Sequence, residues 1–328
     1  MHRRIAFPFI IPITCTVLVL LAGAPGLRAD PLEIQAIAQP LHTEDARLKT
    51  VGKLTYRGGV ELISTSDRFG GLSALGLSAD GARMVSLTDE GNRVDAHLVY
   101  GPTGDLIGLK NAEIFTLTGP GAVPLMDKTM SDAESMSPGV DGEIIVAFER
   151  AHRIWAYPVN QTGPRPMPLP DEMKTAPANS GIEALTLLND GSLFAISEGL
   201  GRDGANLAWV SNRRGWSVLI YRNEDNYRPT GAATLPGGDV VVVERYFTPR
   251  EGVRVRIRRI AANTIKPGAE VTGDLLADIR APFTVDNFEG IEAITGPKGE
   301  TLIYLVSDNN FNRFSPQKTL LMMFELTR

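Results

Sequence analysis

Acidic residues recur in pairs along this chain at nearly constant spacing. Glu134 and Glu149 stand 15 residues apart, Glu183 and Glu198 again 15, and Glu292 and Asp308 16. Each pair brackets a short apolar stretch, a tight-turn signal and a second β-rich stretch. In an antiparallel hairpin the start of the first strand lies beside the end of the second, so each pair is expected at one edge of its hairpin. Asp89 and Glu244 add single acids at the same place, opposite Ser73 and Gly231. Carboxylates gathered in this way repel one another unless something compensates them. Arg150 and Arg245 follow their acids directly, and Arg68, Arg202 and Arg313 fall in loops expected near the same edge. These five are candidates to hold an anion. The other compensator is a hard cation such as Ca²⁺, which takes several oxygen ligands from flexible loops. On that reading Asp89, Glu134, Glu149, Glu183, Glu198, Glu244, Glu292 and Asp308 are the metal-ligating candidates. A mouth of Ca²⁺ and arginine suits a small anionic or phosphorylated molecule. The plainer role of each acid is a hydrogen bond to loop amides of the neighbouring repeat.

Other chemistries are poorly provided for. Gly71-Leu72-Ser73-Ala74-Leu75 breaks the G-x-S-x-G nucleophile elbow at its last place. His42, His97 and His152 belong to no metal motif. The catalytic candidates are therefore Glu183, Glu198 and His152, the last because it closely follows Glu149. An ordinary surface role for His152 stands beside that one.

The elements that must position these residues read as strands and turns throughout. Apolar stretches recur at 83–88, 143–148, 192–197, 239–243 and 301–307. Each follows a turn signal, such as Asp80-Gly81, Asp141-Gly142 or Asp190-Gly191, whose glycine supplies the positive φ of a tight hairpin. No stretch sustains a 3.6-residue apolar period, so helices are expected to be few and short. The hairpins are copies of one unit. Its anchors Ser73, Glu134, Glu183, Gly231 and Glu292 are separated by 61, 49, 48 and 61 residues. Periods of this size with four strands each mark a β-propeller. The prediction is all-β: a single propeller of five or six four-stranded blades. An N-terminal segment, 53–64, completes the last blade beside 319–326 and closes the ring. If these are the innermost strands, all the acid pairs converge on one mouth of the central channel. Trp155, Trp209 and Trp216 are expected to pack between blades.

The first residues bear on the compartment. His2, Arg3 and Arg4 precede an apolar run broken by Pro8 and Pro12, and Leu27-Arg28-Ala29 offers a small-residue exit. That order predicts a signal peptide over 1–29 and a periplasmic or secreted propeller over 30–328. The run approaches the length of a membrane anchor, but its prolines and cleavable end speak against stable insertion. The single cysteine, Cys15, lies inside this leader, which excludes disulfides and thiol chemistry from the mature chain. Removing 1–29 leaves 30 basic residues against 38 acidic, a net charge near −8. Such a surface does not favour nucleic acid or anionic lipid.

Three segments carry a family resemblance. Arg68-Phe69-Gly70-Gly71-Leu72-Ser73-Ala74-Leu75, Asn287-Phe288-Glu289-Gly290-Ile291-Glu292-Ala293 and Val306-Ser307-Asp308-Asn309-Asn310-Phe311 resemble the phytase-like propeller domain. Its members are described as having "esterase-like activity of phytase", and the similarity runs from about residue 50 to 328. The resemblance implies an exported propeller acting as a Ca²⁺-dependent phosphoester or ester hydrolase. The competing reading is a non-catalytic propeller of the cell envelope that binds a ligand or another protein.

Overall fold

Each repeated hairpin supplies the two innermost strands of one sheet, and five such sheets close into a ring. The computed structural model describes residues 29–159, 163–202, 204–312 and 317–327. Residues 1–28 of the expected signal peptide, residues 160–162 and Arg313 lie outside the described residues.

Blade 1 runs outward through Leu72–Leu77, Arg83–Thr88, Asn92–Tyr100 and Leu106–Thr116, with Asp30–Leu32 added at its rim. Blade 2 is Ala133–Pro138, Ile144–Phe148, Arg153–Tyr157 and Arg165–Met167. Blade 3 is Ile182–Leu187, Leu193–Arg202, Ala205–Asn212 and Gly215–Arg222, edged by the short parallel strand Glu270–Val271. Blade 4 is Arg228–Thr234, Val240–Thr248, Gly252–Ile260 and Asp274–Arg280. Blade 5 joins Phe288–Thr295, Thr301–Ser307 and Leu320–Leu326 to three strands from the other end of the chain, Leu54–Ile63, Gln35–Ala38 and the short Thr50–Val51. Leu320–Leu326 pairs antiparallel with Leu54–Ile63, so the last sheet is stitched from both ends. The count is thus five blades, not six. Uniform four-stranded blades are also corrected, because short rim strands widen three of the five sheets.

Successive inner strands pack against one another, and the fifth against the first. The core follows the same plan, with one apolar cluster at each blade interface. Phe194, Ile196, Val240 and Val242 meet between blades 3 and 4, for example, and Ile145, Ile182 and Trp209 between blades 2 and 3. Each fully buried side chain of this size contributes roughly 1.5–3 kcal/mol. Trp155 and Trp209 pack as expected, the latter donating its indole N–H to Glu172 at 2.9 Å. Hydroxyls tie the inner strands together. Ser73 Oγ donates to the carbonyl of Ala133 at 2.6 Å, and Thr230 Oγ1 to that of Phe288 at 2.8 Å. No helix among the described residues is long and apolar enough to cross a membrane.

Candidate functional site

A β-bulge at the same place in all five inner strands builds the site. Pairing skips one residue in each: Ser73, Glu134, Glu183, Thr230 and Glu289. A bulge leaves its extra residue out of the ladder and re-aims its side chain. Just beyond each skipped pairing the second strand delivers another residue to the same edge: Asp89, Glu149, Glu198, Arg245 and Asp308. The N–H of Asp89, Glu149, Glu198 and Asp308 bonds back to the residue before the first strand's start, at Gly71, Asp132, Gly181 and Asn287. In blade 4, Arg245 pairs with Arg228 instead. Two rings of five positions therefore surround one mouth. A four-residue helix, Lys128–Ser131, whose N-cap Asp127 accepts from Thr129 N–H, brings Lys128 there as well.

The charges of the mouth act on one another. Asp132, Glu134 and Glu149 each present a carboxylate oxygen, all within 4.8 Å of one another. Asp132 is almost fully buried between Lys128 at 2.6 Å and Arg150 at 2.5 Å. Lys128 also reaches Asp89 at 2.8 Å. Burial works against its ammonium, but the bonds to Asp132 and Asp89 outweigh it and hold its pKa up. Burial pushes the carboxyl of Glu134 well above the usual range, reinforced by Glu183, Asp132, Glu289 and Glu149. Glu183 rises for the same reason, with Glu198, Glu289 and Glu149 adding to burial and Arg245 opposing. Glu289 is raised by burial and Asp308, against Arg245 and a 2.9 Å bond from Asn287 Nδ2. Asp308 is pushed up to about 6, again mainly by burial. Burial and mutual repulsion therefore favour the protonated form of the carboxyls at the centre of the mouth.

Of the residues singled out from sequence, Asp89, Glu134, Glu149, Glu183, Glu198, Asp308, Arg150 and Arg245 meet at this mouth. Glu292 and Glu244 do not. The bulge of blade 5 falls on Glu289, three residues earlier. Glu292 lies down the strand opposite Tyr304, buried, with the N–H of Ala293 as its one hydrogen-bond partner among the described residues. Glu244 pairs across to Pro229 and is buried between blades 4 and 3. There it accepts from Tyr221 Oη and Arg258 Nε, both at 2.8 Å. Blade 4 is also anchored at Thr230, one residue before Gly231. Arg68 is held elsewhere, by Asp30 at 2.7 Å and by Asn92 and Thr116, where it fastens the rim strand of blade 1. His152 places Nε2 2.9 Å from the carbonyl of Pro177, close enough to Glu149 for its charge to favour that carboxylate. Arg202 ends the second strand of blade 3, its backbone opposite Ala205.

Sequence reasoning missed Asp132, Lys128, Arg228 and Glu289. The last was findable. Leu72-Ser73-Ala74-Leu75, Ile182-Glu183-Ala184-Leu185 and Phe288-Glu289-Gly290-Ile291 share one order, apolar, bulge, small, apolar.

A cleft of about 710 Å³ opens from the mouth over blades 3 and 4, with Glu198, Arg228 and Arg245 at its inner end and Tyr246 and Phe247 further out. Arg228 lies 3.5 Å and Arg245 3.8 Å from Glu198.

A family model described as phytase-like, esterase-like activity of phytase, matches residues 67–311. No curated protein matches the chain. Among solved structures, a protein of unknown function from Dyadobacter fermentans is similar at 12% identity. It covers 92% of this chain and 96% of its own, with a TM-score of 0.42. Virginiamycin B lyase from Staphylococcus aureus is similar at 13% identity over 90% of this chain and 100% of its own, also with a TM-score of 0.42. A likeness at this level says nothing of what the chain does.

Proposed function

The chain belongs to the phytase-like family, matched over residues 67–311, and from that premise we propose that it is an exported hydrolase of phosphoesters that works at the acidic mouth with bound Ca²⁺. The observation that carries this reading is the convergence of Asp132, Glu134 and Glu149 within 4.8 Å, facing a mouth that also holds Arg228 and Arg245. The donor set fits the ion. Three carboxylates are hard oxygen ligands of the kind Ca²⁺ selects, and nearby Asp89 keeps one buried oxygen, Oδ1, without a hydrogen-bond partner. When bound, the ion supplies charge neutralisation for the phosphate and a more acidic water.

The protein's own groups do the rest. Arg228 and Arg245 hold the phosphate oxygens across the mouth from the carboxylates. A water oxygen forms the new bond to phosphorus as the ester P–O bond breaks, and the water's proton passes to a carboxylate of the mouth. Glu183, whose environment favours the protonated form, donates its proton to the departing oxygen. Export is supported by the basic, apolar and small-residue order of 1–29.

One observation favours a second reading, a binding propeller without turnover. Ser73 Oγ is committed to Ala133 and His152 to Pro177, so neither forms a nucleophile–base pair. Release of nitrophenol from an aryl phosphate by purified 30–328 separates the two. Turnover is expected only with Ca²⁺ and falls about 100-fold in Glu183→Gln, the usual scale of a lost general acid. Activity unchanged by a chelator and by Glu183→Gln overturns the hydrolase.

A further inference from the structure

The cleft beside the mouth has a composition that selects among phosphorylated molecules. Its inner end carries two guanidinium groups, Arg228 and Arg245, and neither donates a hydrogen bond among the described residues. Their separations from Glu198, 3.5 and 3.8 Å, exceed hydrogen-bond length, so their donors stay available to an anion. Paired guanidinium forks match the oxygens of one phosphate. Beyond them the wall turns aromatic. Phe247 is 57% exposed and lines the cleft beside Tyr246. Tyr246 stacks on buried Tyr227, with ring centroids 5.4 Å apart and planes 29° from parallel. Arg256 lies 4.0 Å over the Tyr227 ring and pairs with Asp225 at 2.8 Å, so the platform is fixed from behind. The cleft is an open groove of about 710 Å³, with room for a small organic group along its wall.

We propose that this cleft takes the organic half of a phosphomonoester with a single phosphate and an aromatic or apolar body. Arg228 and Arg245 hold the phosphate, and Tyr246 and Phe247 contact the body. The proposal rests on the phosphoester reading above and narrows it. A polyphosphorylated ligand fits poorly. Six phosphates carry roughly nine or more negative charges at neutral pH. Two arginines that share Glu198, beside a ring of further carboxyls, do not neutralise that charge.

Calorimetry with a non-hydrolysable ligand, 1-naphthylmethylphosphonate, in Ca²⁺-containing buffer tests this without turnover. The phosphonate is expected to bind about tenfold tighter than inorganic phosphate, the scale of one good aromatic contact. Phe247→Ala, at a position 57% exposed, removes that advantage and leaves inorganic phosphate affinity unchanged. Arg245→Met weakens both ligands. Equal affinity for phosphonate and inorganic phosphate, no effect of Phe247→Ala, or tighter binding of inositol hexakisphosphate each overturns the proposal. Because binding is read directly, a protein that binds the phosphonate with this Phe247 dependence yet never hydrolyses 1-naphthyl phosphate contradicts the hydrolase and upholds the cleft.

Discussion

Replacing Glu292 with glutamine is expected to stabilise the protein at high pH and to do little at low pH. Glu292 is buried between blades 5 and 1, on the sheet face it shares with Tyr304, and burial pushes its carboxyl up to about 8 against the single bond from Ala293 N–H. A raised folded-state pKa makes a contribution that is whole below the unfolded value, near 4.5, and is lost as pH rises through 8. Between those values the unfolded chain ionises while the folded chain keeps its proton. At about 1.4 kcal/mol per pH unit, the loss is of order 3 kcal/mol by pH 7 and roughly 5 kcal/mol by pH 9. Glutamine keeps the acceptor for Ala293 and the shape of the protonated acid but cannot ionise. The assay is thermal unfolding of both proteins from pH 5 to 9. Their Tm values should agree near pH 5 and diverge by on the order of 10 °C at pH 9, with the variant higher. The difference between the two isolates Glu292 from the other buried acids. A pH-independent difference, or a variant less stable at pH 9, refutes the reasoning.

Glu244→Ala should be strongly destabilising, because it leaves two buried donors, Tyr221 Oη and Arg258 Nε, without their acceptor, although Arg258 keeps Glu224 at 2.7 Å and the carbonyl of Gly273 at 2.9 Å. A loss of about 3–5 kcal/mol in denaturant unfolding is expected, and one below 1 kcal/mol argues against the buried pair. Gly71→Ala is expected to disturb the mouth as well as the fold. Gly71 has φ +56°, and an added Cβ falls 2.2 Å from Asp89 Oδ1 and 2.3 Å from the Phe311 ring. The conformation alone costs about 1–2 kcal/mol, so a Tm equal to that of the parent contradicts the account.

The repeat was legible because its parts are local. Aspartate–glycine turns, β-branched runs and closing acids recur at intervals that hairpin geometry fixes, and the convergence of Glu134, Glu149, Glu183, Glu198 and Asp308 follows once those hairpins are set innermost in a closed ring. Glu292 misled because blade 5 contains the motif twice in one strand. Ile291-Glu292-Ala293-Ile294 copies Ile182-Glu183-Ala184-Leu185 more closely than the true counterpart does. Only the length of the hairpin decides between them. After its bulge, blade 5 pairs 290–295 with 301–306, whereas blade 3 pairs 184–187 with 193–196, two residues fewer on each strand. In blade 4 a one-residue offset in the repeat exchanged Glu244 for Arg245. Since successive strand residues face opposite sides, that offset sends the acid between blades 4 and 3 and the arginine to the mouth. Asp132 and Lys128 were not legible. They reach the mouth through an irregular loop and a single helical turn whose position nothing periodic announces. The cleft was equally hidden, because Glu198 of blade 3 meets Arg228 and Arg245 of blade 4 only once the two blades are set side by side.

The central claim, that the bulged ring forms a hard-cation site, is tested most directly by titrating Ca²⁺ into residues 30–328 by calorimetry near neutral pH, in buffers of differing ionisation enthalpy. The account predicts saturable binding with release of protons, because Glu134 and its neighbours favour the protonated form before the cation enters. It also predicts that Glu134→Gln weakens binding sharply, and that Ca²⁺ at 100 times Kd raises stability by about 2.7 kcal/mol. No binding up to millimolar Ca²⁺, or binding that releases no protons and ignores Glu134→Gln, contradicts it.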